Sequence, residues 1–265
     1  MVLLLRPQTL ARHPGRIRVE SAVLGDFEAE VDVAAELDRY VDVLWVAPKA
    51  PDLEAALALA PPERVGSAVV VPLLNGIDHV ARLRESYERV LAAAIRVESE
   101  RTEPGLVRQP TPFARVDLAP GTGSAEVAEE LRAAGLQVEV GPDEPTVLWE
   151  KLALLGPLAL STTASGLPAG GVQDAPEWSE RLFACHREAV AVGVAEGATL
   201  DGESLPVLLA TPLGGMRTSM QKDFDAGRPL ELDAISRPIV SGGRRHGIPT
   251  PVTEELVRLI RQRQA

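Results

Sequence analysis

"VDVLWVAPKAPDLEAALALAPPERVGSAVVVPLL", residues 41–74, places two apolar runs, 41–47 and 67–74, on either side of a helical stretch, "DLEAALALA". Runs so continuously apolar cannot keep one face in water. Both therefore read as strands of a parallel sheet covered on its two faces by helices.

Outward from there, comparable runs occur at 2–5 ("VLLL"), 16–20 ("RIRVE"), 90–97 ("VLAAAIRV") and 136–140 ("LQVEV"), and "SAEVAEELRAAG" is a further amphipathic helix. After Val140 the strand signals stop and "GPDEP" marks a turn. The remainder reads as helices at 146–160, 177–197, 204–210, 217–226, 229–246 and 251–263, interrupted by the loop "SGLPAGGVQDAP". In the last of these, Thr250 suits the N-cap and Pro251 the first helical position. The expected architecture is an α/β domain over residues 1–142 followed by an all-helical domain over 143–265. Two-domain dehydrogenases commonly share this layout, with substrate held in the cleft between the domains, although fold alone proves no chemistry.

The chain has 265 residues, 45% of them hydrophobic, and a formal net charge of −11. That acidity repels nucleic acid phosphates and anionic lipid, so neither is an expected partner. The single cysteine, Cys185, has no intrachain partner, and the four histidines lie too far apart in sequence to suggest a metal cluster. A reducing cytoplasm fits best. "MVLLLRPQ" is too short for a signal peptide's apolar region or a membrane span and reads as a buried strand.

A dinucleotide-binding domain should carry G-x-G-x-x-G after its first strand, because those glycines let backbone N–H groups reach the pyrophosphate. None is present. "GTGSAE" at 121–126 puts Glu126 at the third glycine position, where its charge opposes a phosphate, and Ser124 reads as an ordinary N-cap. The opening residues look instead like the second strand of such a domain. Arg6 just after it reads equally as a partner for a 2′-phosphate, favouring NADP over NAD, or as a solvated loop arginine. The absent first strand is normally central. Either the gene product starts upstream or the sheet closes differently and cofactor binding is damaged.

"VAPKAPDLEAAL", "VPLLNGIDH", "LWEKLALL" and "SMQKDFDAGRPLELDA", in this order, resemble the ketopantoate reductase family, which reduces 2-dehydropantoate to pantoate with NADPH in pantothenate biosynthesis. The resemblance covers nearly the whole chain and begins at that family's second strand. It implies an incomplete Rossmann-type domain followed by a helical domain like the C-terminal one of 6-phosphogluconate dehydrogenase. A small 2-keto acid is the implied substrate, and a homodimer is the assembly such a helical domain allows. By the same resemblance, Lys151 is the general acid that protonates the carbonyl oxygen, Glu231 positions that lysine and the substrate hydroxyl, and Ser219 binds the substrate carboxylate. Asn75 matches a residue between nicotinamide and substrate, its alternative being a plain "NG" turn. Lys49 matches a cofactor contact, against a solvated loop lysine.

Four positions depart from the family. Leu155 and Ala159 stand where asparagines follow the lysine by four and eight residues, Met216 replaces an asparagine before the serine, and Leu74 replaces the glutamine before "NG". Lost amides leave an apolar pocket, which predicts a more apolar 2-keto acid or no turnover. Gly156 and Pro157 follow in the same helix, where proline removes a backbone bond and kinks it. His246, Cys185, Trp45, Trp149 and Trp178 are assigned no role. The competing expectation is a non-catalytic relative that keeps the helical domain for dimerisation or for binding a small acid.

Overall fold

Among the described residues the apolar runs of the N-terminal half do form strands, in four sheets, and a parallel bridge between Val70 and Val90 joins the β5–β6 pair to the run that continues into β7. The computed structural model describes residues 1–209 and 211–264. In chain order the strands are β1 (Val2–Leu4), β2 (Arg16–Ser21), β3 (Phe27–Glu30), β4 (Asp32–Ala34), β5 (Val43–Val46), β6 (Val69–Pro72), β7 (Ala93–Val97), β8 (Glu100–Glu103), β9 (Leu106–Gln109), β10 (Ala114–Leu118) and β11 (Gln137–Val140). The pairs β1–β4 and β5–β6 are parallel. A third sheet runs β11–β10–β7, with β10 parallel to β11 and antiparallel to β7. The fourth, β3–β2–β9–β8, mixes both directions.

An all-parallel reading therefore needs correction. The chain leaves β7, turns back through the polar β8–β9 hairpin and returns along β10, which makes the β7–β10 ladder antiparallel. Neither Arg115 nor Asp117 marks β10 as a buried strand. Asp117 is nevertheless buried, because its carboxylate pairs with Arg96 and with Arg115 Nε at 2.6 Å. Val69, Val71, Leu91, Ala93, Val116, Leu118 and Val127 fill the core beside it.

The helices are α1 (Pro7–Leu10), α2 (Leu53–Leu57), α3 (Pro62–Val65), α4 (Asp78–Arg84), α5 (Ser124–Ala133), α6 (Glu144–Ser165), α7 (Ala169–Asp174), α8 (Pro176–Ala195), α9 (Ser204–Leu209), α10 (Ser219–Asp225), α11 (Leu232–His246) and α12 (Pro251–Gln264). Ala210, the end of the predicted 204–210 helix, lies outside the described residues. Gly123, at φ +89°, precedes α5, so Ser124 is its first residue rather than its cap; the Ser124 hydroxyl donates to Gly121 O at 2.8 Å. The predicted loop after α6 contains α7, closely packed because a Cβ on Gly170 would lie 2.5 Å from Gly214 O.

By internal packing the chain divides into two units. One comprises Met1–Pro48, Asp52–Leu73 and Arg82–Gly141; the other comprises Lys49–Pro51, Leu74–Ala81 and Pro142–Ala265. In the second unit α6 is the buried centre, contacted by α8, α10, α11 and α12. Asp143 caps it by accepting from Thr146 N at 2.7 Å, and hydrogen bonding from the Thr146 side chain foremost, then from this N–H, lowers the Asp143 pKa. Pro157 does not end this helix. Pro157 has no N–H for the carbonyl of Ala153, and His186 Nδ1 occupies that carbonyl at 2.8 Å. Thr250 does precede α12, but the first N–H groups of that helix go to Glu188 on α8, which accepts from Val252 N and Thr253 N at 2.8 Å each.

Candidate active site

The second unit contains five of the six sequence-predicted site residues, Lys49, Asn75, Lys151, Ser219 and Glu231. After α10 the chain reverses at Gly227, φ +63°, and Arg228 returns both its N–H and its Nε to Asp223, at 2.9 and 2.7 Å. This turn delivers Glu231 to the N-terminus of α11, where its carboxylate is favoured by the helix dipole. Glu231 is only 6% exposed. Its Oε1 accepts from Ala50 N at 3.1 Å and its Oε2 from Asn75 Nδ2 at 2.9 Å.

Asn75 and Gly76 therefore form no hairpin turn. Gly76 adopts φ +80°, and a Cβ there would lie 2.2 Å from Ala234 O. That carbonyl belongs to the residue four before Pro238, so it has no helical N–H donor, which leaves room for the close backbone approach that only glycine permits. The next residue but one, Asp78, accepts from Arg237 Nε at 2.9 Å. The segment 75–78 is thus tied to α11 at three points.

Lys49 is neither free nor simply solvated. Its Nζ lies 2.5 Å from Oδ2 of Asp223, which is buried, although the lysine side chain itself is 46% exposed. Asp223 accepts from Arg228 as well, so two cations compensate one buried carboxylate. Sequence reasoning missed Asp223, whose only signal was its place five residues before Arg228 in the quoted motif.

Lys151 stands half-buried on α6, and Leu155, one turn on, is an exposed apolar side chain on the same helix. Ala159 and Leu74 are buried, the first in the core of this unit. Met216 packs beside α7 and α9. Ser219 is exposed at the first position of α10, directly after Thr218, whose hydroxyl accepts from Gln221 N at 3.3 Å and meets Thr162 Oγ1 of α6 at 3.0 Å. No role was assigned to His79, yet it is buried near Lys151. Burial foremost, and then the Lys151 charge, lower its pKa to about 4, so its ring is neutral at pH 7.

Arg6 is not brought into this group. It belongs to the first unit, at the carboxyl end of β1, with Asp52 at 3.2 Å and its side chain 61% exposed. Such an exposed pair exchanges readily, so the guanidinium remains available to a phosphate. The connection from β1 to α1 contains no glycine, and a pyrophosphate cradle is not found among the described residues. Of what a nicotinamide dinucleotide needs, the first unit by itself therefore offers one arginine. Among the described residues no helix is long and apolar enough to cross a membrane.

Comparison with known proteins bears on the whole chain. Residues 1–122 match the family described as "Ketopantoate reductase PanE/ApbA" and residues 146–264 its C-terminal part, "Ketopantoate reductase PanE/ApbA C terminal". A 2-dehydropantoate 2-reductase of Mycobacterium tuberculosis (strain CDC 1551 / Oshkosh) is 35% identical over 231 residues, 83% of this chain and 75% of that protein. Another, of Caulobacter vibrioides, is 32% identical over 197 residues, 72% of this chain and 67% of its own length. The crystal structure of a PanE/ApbA family ketopantoate reductase from Ralstonia eutropha JMP134 superposes with a TM-score of 0.88 at 26% identity, covering 99% of this chain and 90% of that one.

Proposed function

The chain belongs to the ketopantoate reductase family, oxidoreductases acting on CH–OH groups, and from that premise we propose that it reduces a 2-keto acid to the 2-hydroxy acid with NADPH as hydride donor. The observation that carries this reading is the hold on Glu231. A buried carboxylate holds the amide of Asn75 and the backbone N–H of Ala50 within the unit that also contains Lys151 and Ser219.

Each residue then has a distinct task. The Ser219 hydroxyl, exposed and without a hydrogen-bond partner among the described residues, donates to the substrate carboxylate. Lys151 gives its proton to the carbonyl oxygen, where negative charge develops and a positioned donor lowers the barrier. Glu231 keeps the Asn75 amide aimed and so positions rather than reacts. NADPH, when bound, supplies the hydride. Arg6 meets its 2′-phosphate by exchanging Asp52, which favours NADP over NAD. Lys49, engaged with Asp223, holds its loop in place and contacts the cofactor only if that pair opens.

Leu155, Ala159, Met216 and Leu74 leave few amides to recognise substrate hydroxyls, so the preferred substrate is a 2-keto acid more apolar than 2-dehydropantoate. A homodimer through the helical unit is the proposed assembly, and the cytoplasm the proposed location. A second reading, a relative that binds a small acid without reducing it, is favoured by one observation, the apolar residues Leu155, Ala159, Met216 and Leu74 at the positions of the family's amides.

The two readings separate in one experiment. Purified chain is titrated with NADPH by nicotinamide fluorescence and then assayed at 340 nm with 2-ketoisovalerate and with 2-dehydropantoate. The reductase reading expects turnover that Lys151→Ala lowers by a factor of about 100 or more. A folded chain that binds neither NADPH nor reduces either acid overturns it in favour of the second reading.

A further inference from the structure

Three consecutive hydroxyl residues lie buried in α6: Ser161, Thr162 and Thr163. The hydroxyls of the outer two have no hydrogen-bond partner among the described residues. The middle one reaches the start of α10. Thr162 Oγ1 lies 2.8 Å from Leu158 O and 3.3 Å from Ala159 O on its own helix, and 3.0 Å from Thr218 Oγ1.

This contact has one direction. A carbonyl only accepts, so the single Thr162 proton goes back to α6, and Thr162 Oγ1 accepts from Thr218. Thr218 Oγ1 in turn accepts from Gln221 N at 3.3 Å, which caps α10. Hydrogen bonds therefore run from the Gln221 N–H through Thr218 and Thr162 to a backbone carbonyl of α6. The Thr218 proton is committed, and of the two adjacent hydroxyl residues only Ser219 is exposed and without a partner among the described residues.

Neither packing nor the hold on α10 calls for a hydroxyl at position 162. Valine has the same branched shape. The body of α10 is fastened elsewhere: Gln221 Nε2 donates to Leu167 O at 2.9 Å, and the Arg263 guanidinium lies over the Phe224 ring at 4.7 Å. What the Thr162 oxygen adds is control of the residue directly before Ser219.

We infer that Thr162 is a positioning residue for Ser219: by accepting the Thr218 proton it commits that hydroxyl to the helix cap and leaves Ser219 as the one hydroxyl of the pair offered to the substrate carboxylate. This rests on the reading of Ser219 as the donor to that carboxylate. Without its acceptor, the Thr218 hydroxyl is free to turn, and the residue that precedes Ser219 loses its anchor to α6.

A double-mutant cycle tests it. In the 340 nm assay with saturating NADPH, Ser219→Ala raises KM for 2-ketoisovalerate about tenfold. Thr162→Val raises it about threefold to fivefold with kcat nearly unchanged, as expected for a weakened ground-state contact. Thr162→Ser, which keeps the hydroxyl, stays within about twofold of the parent. In the Ser219→Ala background, Thr162→Val raises KM by less than about twofold more, because the hydroxyl through which it acts is already gone.

A merely structural threonine gives an unchanged KM in folded Thr162→Val, or the same factor in both backgrounds, and either result overturns the inference. The same cycle is read as Kd by calorimetric titration with 2-ketoisovalerate in the presence of NADP+, which has no hydride to give. If KM and Kd are indifferent to Thr162 while turnover still depends on Lys151, the inference fails and the reductase reading survives. If the acid binds with the expected coupling and is not reduced, the reductase reading fails and the inference stands. A folded parent that neither binds nor reduces the acid overturns both.

Discussion

His186 Nδ1 lies 2.8 Å from Ala153 O, the carbonyl that Pro157 leaves without its helical N–H. The other ring nitrogen lies 3.0 Å from Gly202 O, so one imidazole joins the middle of α6 to the loop after α8. Replacing His186 by leucine strands a buried carbonyl and is expected to cost roughly 1–3 kcal/mol of unfolding free energy. In a Pro157→Ala background, which restores the N–H, the same replacement costs measurably less. Urea unfolding of the four proteins of this cycle gives the coupling directly, and a coupling of zero refutes the pairing.

Gly76→Ala strikes the site through its backbone. A methyl group there meets Ala234 O at 2.2 Å and the residue must hold φ +80°, so the segment has to move. A loss of roughly 1–3 kcal/mol is expected from the strained dihedral alone. Because the shift carries Asn75 away from Glu231, turnover falls by more than the stability loss explains at a temperature where the variant is fully folded. Activity equal to the parent under those conditions contradicts the assignment.

Acid should reveal His79. Its pKa is about 4 in the folded protein against 6.5 as the ordinary value, so on lowering the pH the unfolded chain takes up the proton first. Stability attributable to this group is complete above pH 6.5 and is lost as the pH falls toward 4, by up to about 3 kcal/mol. Between pH 7 and pH 4.5 the parent is expected to lose about 2 kcal/mol more than His79→Gln. Parallel stability curves for the two proteins count against a buried neutral ring.

Cys185 should be inert while the protein is folded. Burial, aided by the charge of Glu188 and opposed by the Thr253 hydroxyl at 3.3 Å, pushes its thiol up to about 12. At pH 8 the thiolate fraction is then about one in ten thousand, and the sulfur is shielded besides. A thiol-reactive dye is expected to label it only as fast as the protein unfolds. Rapid stoichiometric labelling of the native chain disproves the burial.

Legibility in the sequence followed the physics of each element. Strands β1, β5, β6 and β7 announce themselves because continuous apolar runs have no other stable home. Strands β3 and β8, "FEAE" and "ERTE", are exposed over most of their length, and only their partners make them strands. Asp117 hides β10, since a charge in a core strand is tolerable only with arginine partners, here Arg115 in the same strand and Arg96 on β7. At the candidate site, Lys151, Glu231, Ser219 and Asn75 were proposed through the family resemblance of the motifs that carry them. Asp223 and His79 were not, because what distinguishes them, two cations on one carboxylate and one buried nitrogen with no partner among the described residues, exists only once the chain is folded. The same holds for Glu188, a helix cap supplied from 64 residues away.

Among the described residues, β1 and β5 each carry a ladder on one side only. Their outer N–H and C=O groups are a template for any extended segment, including one from a second copy of the chain. The two edges differ in what they invite. Three residues, Val2–Leu4, give little to grip, whereas Val43–Val46 adds a half-exposed Trp45 to its open backbone. Of these two edges β5 is the better template, and a charged residue at Trp45 opposes association through it.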